Sequence, residues 1–143
     1  MELKTKLFLL TILLLFFTVF NSPAVDHEKT AIFAGGCFWC MEADFEKIPG
    51  IIEVVSGYTG GKSSNPNYNN YSESGHIEAI RIEYNPSVIN YRQLLDIFWL
   101  NIDPTDNEGQ FCDRGHEYSS AVFFITEKQQ KIAMASKTII EKS

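Results

Sequence analysis

The alternation of apolar and polar positions along this chain predicts seven consecutive elements. Residues 31–34 form a short apolar run that is typical of a strand, and two glycines end it. Residues 37–47 have the spacing of an amphipathic helix, which Pro49 and Gly50 close. The later elements are strands over 50–56 and 76–84, a helix over 90–101, a strand over 118–126 and a helix over 127–141. The strand over 118–126 is so rich in apolar residues that we expect it to be central in a sheet.

The last two helices carry start signals of their own. Asn90 is placed to cap the helix over 90–101, and Thr126 with Gln129 has the spacing of a capping box for the final helix. One face of the helix over 90–101 is apolar and is predicted to be core: Tyr91, Leu94, Leu95, Phe98 and Ile102. The final helix is predicted to turn three isoleucines inward: Ile132, Ile139 and Ile140.

The first six elements follow the order strand, helix, strand, strand, helix, strand. This βαββαβ order is that of the ferredoxin-like split pattern. We therefore expect an α/β (α+β) protein, a two-layer sandwich with a mixed or antiparallel sheet. Neither an internal repeat nor a second domain is evident in the sequence.

Two long polar loops separate these elements. Residues 57–72 contain glycines, asparagines and three tyrosines but no aliphatic residue, and residues 103–117 form the second loop. Long loops in a compact domain are usually functional, and phenol groups can donate hydrogen bonds without carrying charge. The alternative is a surface loop whose tyrosines pack for stability.

The first 24 residues have the pattern of a signal peptide. Lys4 and Lys6 precede an apolar run over 7–20, which is short for a membrane span. Small residues at Ser22 and Ala24 have the spacing that a signal peptidase recognises, so we expect cleavage after Ala24. An uncleaved membrane anchor is the alternative. The mature domain, over 25–143, is then exported and is periplasmic or secreted, without stable membrane association.

The net negative charge of the chain argues against a nucleic-acid partner. The 143 residues include 12 basic and 18 acidic side chains, and removal of the leader leaves 10 basic and 17 acidic. Such an acidic domain is a poor partner for nucleic acid. Its size is sufficient for a hydrophobic core, and we expect a monomer.

Three cysteines in an exported protein cannot all pair within one chain. Cys37 and Cys40 are three residues apart on one helical face, whereas Cys112 lies in the second polar loop. At least one thiol therefore stays free or takes part in exchange. A framework of structural disulfides describes this chain poorly.

Cys37 has the surroundings of a nucleophile. It opens the first predicted helix, where unpaired N–H groups and the helix dipole favour an anion, so its thiol should ionise more easily than a free one. Gly35 and Gly36 allow a sharp turn and leave open space before the sulfur. Phe38 and Trp39 are interpreted as a wall for a small apolar group. The alternative is an ordinary buried cysteine.

Glu78 is the second candidate catalytic residue. In the strand over 76–84 it is in phase with Ile80, Ile82 and Tyr84, the more apolar face. A carboxyl group buried there is costly to ionise, so it can hold a proton near neutral pH and act as a general acid. Pairing with Arg81, or a solvent-facing position at the strand end, is the alternative.

Four segments together resemble the A-type peptide-methionine sulfoxide reductases (MsrA). They are Gly36-Cys37-Phe38-Trp39 with Glu42, the Asn-Pro-Asn-Tyr segment ending at Tyr68, Gly75-His76-Ile77-Glu78-Ala79, and Arg-Gly-His-Glu-Tyr-Ser around Tyr118. The resemblance covers residues 29–142 and independently implies the α/β sandwich.

The resemblance also implies a role for each matching residue. Cys37 is the implied nucleophile and Glu78 the proton donor, while Tyr68 and Tyr118 are the phenols that bind the sulfoxide oxygen. Asp113 is similar to a loop aspartate beside the site. The implied pocket for the substrate methyl group is formed by Phe38 and Trp39.

The implied reaction converts methionine S-sulfoxide, free or in proteins, to methionine. Thiolate attack at sulfur needs an acid and neutral donors aimed at the oxygen, and it leaves a sulfenic acid on Cys37. A second thiol condenses with it to form a disulfide, which an external dithiol such as a thioredoxin-like protein reduces. No metal, flavin or nucleotide cofactor is implied.

Two features depart from the family pattern. Many members have glycine at the position of Cys40 and keep their resolving cysteine in a C-terminal tail, whereas this sequence stops at Ser143. We therefore expect the catalytic domain to be short at its C-terminus. The resolving thiol is then Cys40, Cys112 or an external one, and helical spacing favours Cys40.

Two other classes of protein fit part of the sequence. Cys37-Phe38-Trp39-Cys40 is also the C-x-x-C pattern of an exported thiol–disulfide oxidoreductase, although such a protein has little use for Glu78 and the tyrosine loops. A zinc-stapled binding module is the second alternative, with ligands at Cys37, Cys40, Cys112 and His116.

Overall fold

Four strands form an antiparallel sheet with the order β2-β3-β1-β6. The computed structural model describes residues 29–142, so the predicted leader over 1–24 lies outside the described residues. The sheet strands are β1 (Thr30–Ala34), β2 (Ile51–Thr59), β3 (Ile77–Tyr84) and β6 (Ala121–Phe123). A separate hairpin consists of β4 (Gly109–Gln110) and β5 (Asp113–Arg114). The helices are α1 (Phe38–Phe45), α2 (Tyr91–Leu100) and α3 (Glu127–Ile140).

The main sheet and its helices confirm the predicted βαββαβ sandwich. In the sheet, β1 and β3 lie inside and β2 and β6 lie at the edges. This is the order of the split βαβ pattern, in which one strand of the other unit lies between the two strands of each βαβ unit. All described pairs of the sheet are antiparallel, which decides between the mixed and antiparallel forms.

The register of the sheet brings three chain segments to one end. Phe33 of β1 pairs with Ile80 of β3, so the start of β3 lies beside the residues that follow β1. At the same end Tyr58 of β2 pairs with Glu78. The glycine turn before α1, the carboxyl group of Glu78 and the end of β2 therefore meet, although they are far apart in sequence.

The α2 helix is the element that the sequence predicts best. Asn90 Oδ1 accepts from Gln93 N at 3.0 Å and Gln93 Oε1 accepts from Asn90 N at 3.0 Å, which completes a capping box. The predicted apolar face is buried: Tyr91, Leu94, Leu95, Phe98 and Ile102. Its Tyr91 and Phe98 rings pack against Phe33 of β1, so α2 covers the core over the sheet.

The prediction of a central strand over 118–126 is wrong. The observed strand is only Ala121–Phe123, lies at the edge of the sheet and is half-buried. Phe124 and Ile125, which follow it, are exposed. Its apolar residues cover the rim of the core rather than its centre, and apolar density alone does not distinguish these positions.

The α3 helix departs from its prediction in two details. Thr126 Oγ1 accepts from Gln129 N at 3.1 Å, but the Gln129 amide bonds to Ile125 N and Thr30 O, so only half of the capping box forms. Ile139 is 52% exposed and was wrongly predicted to point inward. The buried face runs through Ala133 and Ser136, and Ile139 lies about 100° around the helix from Ile140.

The second strand is longer than its predicted span of 50–56. It continues to Thr59, which pairs with Ile77, so Tyr58 belongs to the sheet and not to the polar loop. Among residues 29–142 the structure contains no helix of the length and hydrophobicity that a membrane span requires.

Replacement of the α2 cap tests this description. Asn90→Ala removes the bond from Gln93 N to Asn90 Oδ1 and is expected to lower the free energy of unfolding by about 1 kcal/mol, measured by urea denaturation. The control is Asn107→Ala, an exposed loop asparagine, with an expected change of less than about 0.5 kcal/mol. Equal effects of the two substitutions would contradict the capping role.

Candidate active site

Cys37 lies at the N-cap position of α1, as the sequence predicts. Its carbonyl oxygen accepts from Cys40 N at 3.1 Å and from Met41 N at 3.2 Å, so the first helical turn begins at this residue. Its side chain is half-buried. The sulfur therefore belongs to the residue that starts the helix, beside the N–H groups of its first turn.

The backbone at the two glycines before Cys37 lies so close to neighbouring side chains that no Cβ would fit there. A Cβ on Gly35 would lie 2.7 Å from Met41 Sδ, and one on Gly36 would lie 2.8 Å from Gln110 Cβ. Gly36 also has φ +87°, which other residues rarely adopt. The turn is thus pressed between α1 and the β4–β5 hairpin, which fixes where Cys37 emerges.

The orientation of α1 is also fixed from the side of β2. Ser56 N donates to Glu42 Oε2 at 3.0 Å, and the Ser56 hydroxyl bonds to the Glu42 carboxylate and to Phe38 O. Glu42 belongs to the motif that begins at Gly36. Its carboxylate holds the first two turns of the helix against the sheet.

Glu78 is buried, with 2% of its surface exposed, and its carboxyl group lies beside Cys37. Oε2 accepts from Phe38 N, the amide next to Cys37, at 2.9 Å. Oε1 accepts from the Tyr71 hydroxyl at 2.8 Å. Both bonds use lone pairs of the carboxyl group, which leaves a further lone pair on each oxygen for a proton.

Tyr71 is the partner that the sequence reasoning missed. It is buried and stacks on Tyr58 with ring centroids 4.4 Å apart. Burial raises the pKa of Tyr71, and the hydrogen bond to Glu78 raises it further, so the phenol stays protonated and donates. Nothing in the loop pattern separates Tyr71 from Tyr68. Only the turn at Gly75, which folds the chain back onto β3, brings Tyr71 to Glu78.

Tyr68 and Trp39 form an exposed aromatic rim. Their rings stack with centroids 5.8 Å apart and an interplanar angle of 12°, and they are 58% and 61% exposed. Phe38 lies beneath them, buried against Tyr58. Of the predicted aromatic pair, Trp39 thus opens to solvent and Phe38 forms the floor.

Tyr118 joins the same group from the second polar loop. It ends the 3₁₀ turn His116–Tyr118 and is half-buried. Burial raises the pKa of Tyr118, whereas its hydrogen bond with Tyr71 lowers it. Tyr118 therefore reaches Glu78 through Tyr71, and the structure brings together Cys37, Glu78, Tyr68 and Tyr118.

The three cysteines open onto one pocket. This thiol pocket has a volume of about 380 Å³ and is lined by Cys37, Cys40 and Cys112 together with Asp113. Cys112 occupies the two-residue turn of the β4–β5 hairpin. The hydrogen bond with the Cys37 thiol is the main cause that raises the pKa of Cys40, with burial second and the charge of Asp113 contributing less.

The thiol pocket does not have the geometry of a metal site. Within residues 29–142 no three His, Cys, Asp or Glu side chains converge closely enough to hold an ion. His116, the fourth zinc ligand of the binding-module alternative, lies in the 3₁₀ turn beside Tyr118.

Comparison with known proteins gives the same family from sequence and from structure. The family model described as peptide methionine sulfoxide reductase matches residues 29–143. The chain is 47% identical over 116 residues to peptide methionine sulfoxide reductase MsrA 2 of Rhizobium meliloti, covering 80% of this chain and 59% of that protein. It is 48% identical over 120 residues to MsrA of Bacillus subtilis, covering 82% of this chain and 68% of that protein.

Solved structures agree. Methionine sulfoxide reductase A of Corynebacterium diphtheriae superposes with a TM-score of 0.73 at 27% identity, covering 80% of this chain and 55% of that one. Mxr1 from Saccharomyces cerevisiae in reduced form superposes with a TM-score of 0.72 at 30% identity, covering 78% of this chain and 67% of that one.

The chain thus spans roughly six tenths of the Rhizobium meliloti relative, while most of its own length is matched. These findings favour neither the general thiol–disulfide oxidoreductase nor the zinc-stapled module. The match over 29–143 and the identities near one half show that this chain belongs to the peptide methionine sulfoxide reductase family.

Proposed function

We propose that this protein reduces methionine S-sulfoxide, free and in oxidised proteins, to methionine. One observation carries the proposal: the buried Glu78 carboxyl group bonds both to Phe38 N, next to Cys37, and to the Tyr71 hydroxyl. A nucleophile, a proton donor and a neutral phenol therefore share one site. Family membership supports the same substrate class.

The chemical step begins with attack of the Cys37 thiolate on the sulfoxide sulfur. The sulfoxide oxygen is a poor leaving group until it is protonated, and Glu78 supplies that proton. Tyr71, Tyr68 and Tyr118 are neutral donors that stabilise the charge developing on the oxygen. The attack forms an S–S bond, and the protonated oxygen leaves as water. Water then adds to the Cys37 sulfur and breaks the S–S bond, which releases methionine as the thioether and leaves Cys37 as a sulfenic acid.

The aromatic rim supplies the apolar part of the site. The exposed Trp39 and Tyr68 rings stack beside Cys37 and offer a surface for the methyl group and thioether of the substrate. Sulfur–aromatic contacts contribute about 0.3–1.5 kcal/mol each. Exposure of both rings suits a substrate that is a side chain of a larger protein.

Recycling uses the thiol pocket. Cys40 follows Cys37 by one helical turn and lines the same pocket, so its thiol is the proposed attacker of the sulfenic acid, which releases water and forms a Cys37–Cys40 disulfide. Cys112 and Asp113 line the same pocket, and Cys112 is the second candidate. An external dithiol, such as a thioredoxin-like protein, then reduces the disulfide. The reaction needs no metal, flavin or nucleotide.

The cellular setting follows from the leader pattern over 1–24. We propose export, with cleavage after Ala24, to a periplasmic or secreted location. The function there is the repair of oxidised proteins by a monomeric enzyme. Detection of a mature chain beginning at Val25 in the exported fraction tests this assignment.

Removal of the nucleophile or of the acid tests the proposed reaction. In dithiothreitol-driven reduction of the separate sulfoxide epimers, the unmodified protein is expected to reduce the S epimer and not the R epimer. Cys37→Ser is expected to abolish turnover, and Glu78→Gln to lower kcat by about 10²–10⁴-fold because the amide cannot donate the proton.

The matched control is Glu73→Gln, an exposed carboxylate of the tyrosine-containing loop, which is expected to leave turnover unchanged. Full activity of Cys37→Ser would end the proposal. Full activity of Glu78→Gln would remove Glu78 from the proton transfer.

Loss of the Tyr71 hydroxyl tests the contact that only the structure reveals. Tyr71→Phe removes a hydrogen bond to Glu78 and is expected to lower kcat/KM by about 10–100-fold, since bonds to ionisable groups contribute about 1.5–3 kcal/mol. Tyr91→Phe is the control, because that buried hydroxyl has no hydrogen-bond partner within the described part of the chain. Equal activities of the two variants would show that Tyr71 has no part in the reaction.

The resolving thiol is identified by disulfide mapping after a single turnover without reductant. Mass spectrometry is expected to find Cys37 linked to Cys40. A raised pKa means less thiolate at a given pH, so Cys40 should react slowly with iodoacetamide at pH 8, and faster in Cys37→Ala, which removes the main cause of the shift. A link from Cys37 to Cys112 would instead make Cys112 the resolving residue.

A further inference from the structure

His76 is a buried titratable residue that the proposed reaction does not use. It lies just before β3 and is 6% exposed. Residues 60–75, which we name the tyrosine loop, leave the end of β2 and return to β3 at His76. The loop carries Tyr68 and Tyr71, and its two ends meet at the imidazole ring.

Both ring nitrogens of His76 bond to the opposite end of the tyrosine loop. Gly61 N donates to Nδ1 at 3.2 Å, and Nε2 lies 3.0 Å from Ser63 O. A backbone N–H can only donate and a carbonyl can only accept, so Nδ1 is the acceptor and Nε2 carries the proton. The neutral ring in this one tautomer therefore joins the two ends of the loop.

Contacts around the ring leave little freedom. A Cβ on Gly61 would lie 2.3 Å from His76 Cδ2, so the Gly61 backbone is in direct contact with the ring. Lys62 N donates to Ser74 O at 3.0 Å, and His76 N donates to Tyr71 O at 3.0 Å. These bonds join the two ends of the tyrosine loop, which we call the loop closure, and the imidazole is the side chain at its centre.

The closure fixes the oxygen-binding side of the site. Tyr71 donates to Glu78, which is two residues beyond His76 on the same side of the chain, and Tyr68 stacks on Trp39. Cys37 is held separately, by the contacts of Gly35 and Gly36 with α1 and the β4–β5 hairpin. Release of the loop would therefore displace both phenols while the nucleophile stays in place.

We propose that His76 is a positioning residue, whose neutral imidazole holds the tyrosine loop so that Tyr71 meets Glu78 and Tyr68 meets Trp39. The inference rests on the proposed function, because the phenols matter only if they bind the sulfoxide oxygen. It assigns to His76 no contact with the substrate.

The experiment compares four variants of the full chain in the dithiothreitol-driven assay. His76→Ala removes both ring bonds, and His76→Asn keeps an acceptor near the place of Nδ1 for Gly61 N. Gly61→Ala forces the backbone off the ring without changing His76. Gly57→Ala is the matched control, because a Cβ there meets nothing within 4 Å.

His76→Ala and Gly61→Ala are expected to lower kcat/KM by about 10–100-fold, which is the effect of a reacting group displaced by roughly 1 Å. His76→Asn is expected to recover most of the loss, and Gly57→Ala to match the unmodified protein. In each variant the rate of Cys37 alkylation should stay within about twofold, because the helix start is intact. His76→Ala combined with Tyr71→Phe should cost less than the product of the single effects.

Unchanged kcat/KM in His76→Ala, in a protein that reduces the S epimer, would overturn the positioning role and leave the proposed function standing. A change of more than about twofold in the rate of Cys37 alkylation would also overturn it, because the substitution would then have altered the start of α1 as well as the tyrosine loop. Absence of sulfoxide reduction by the unmodified protein would instead reject the proposed function. Hydrogen exchange that is faster in the tyrosine loop of His76→Ala but unchanged in α1 would support the positioning role.

Discussion

The bond from Phe38 N to Glu78 Oε2 is the interaction on which the rest of the site depends. It joins the first turn of α1 to the start of β3, and it places the carboxyl group beside the residue that carries the sulfur. A carboxyl group this deeply buried is stable only when its oxygens have partners. Phe38 N and the Tyr71 hydroxyl supply them, so the carboxyl group is joined both to the first turn of α1 and to a phenol.

Two different kinds of support hold the two sides of this site. On the sulfur side the constraint is steric, because Gly36 allows the turn to press against Gln110 of the β4–β5 hairpin. On the phenol side the constraint is a hydrogen-bonded closure around His76. Cys37 lies between the two sides. Cys37 lines the thiol pocket together with Cys40 and Cys112, and the next residue, Phe38, bonds to Glu78 through its backbone N.

The sequence predictions were correct where the interactions involved are local in sequence, and they failed where the interactions are non-local. The capping box at Asn90 and the start of α1 at Cys37 are local, so residue type and spacing sufficed. Period-two alternation placed Glu78 on the more apolar face, and the resemblance of its segment to the family motif singled it out from the alternatives. The supposed central strand failed because burial of an apolar run depends on its neighbours, and the segment around Val122 has a partner strand on one side only. Tyr71 was missed for the same reason: its partner comes from the fold.

The sequence by itself determined the order of the main elements, the place of Cys37 at a helix start and the family to which the chain is similar, because these depend on local pattern and side-chain type. The tertiary structure decided which phenol touches Glu78, which aromatic ring faces solvent and that all three thiols open onto one pocket. These depend on the register of β1 against β3 and on the closure of loops tens of residues apart. Such contacts form only when non-local segments pack together, and no local periodicity encodes them.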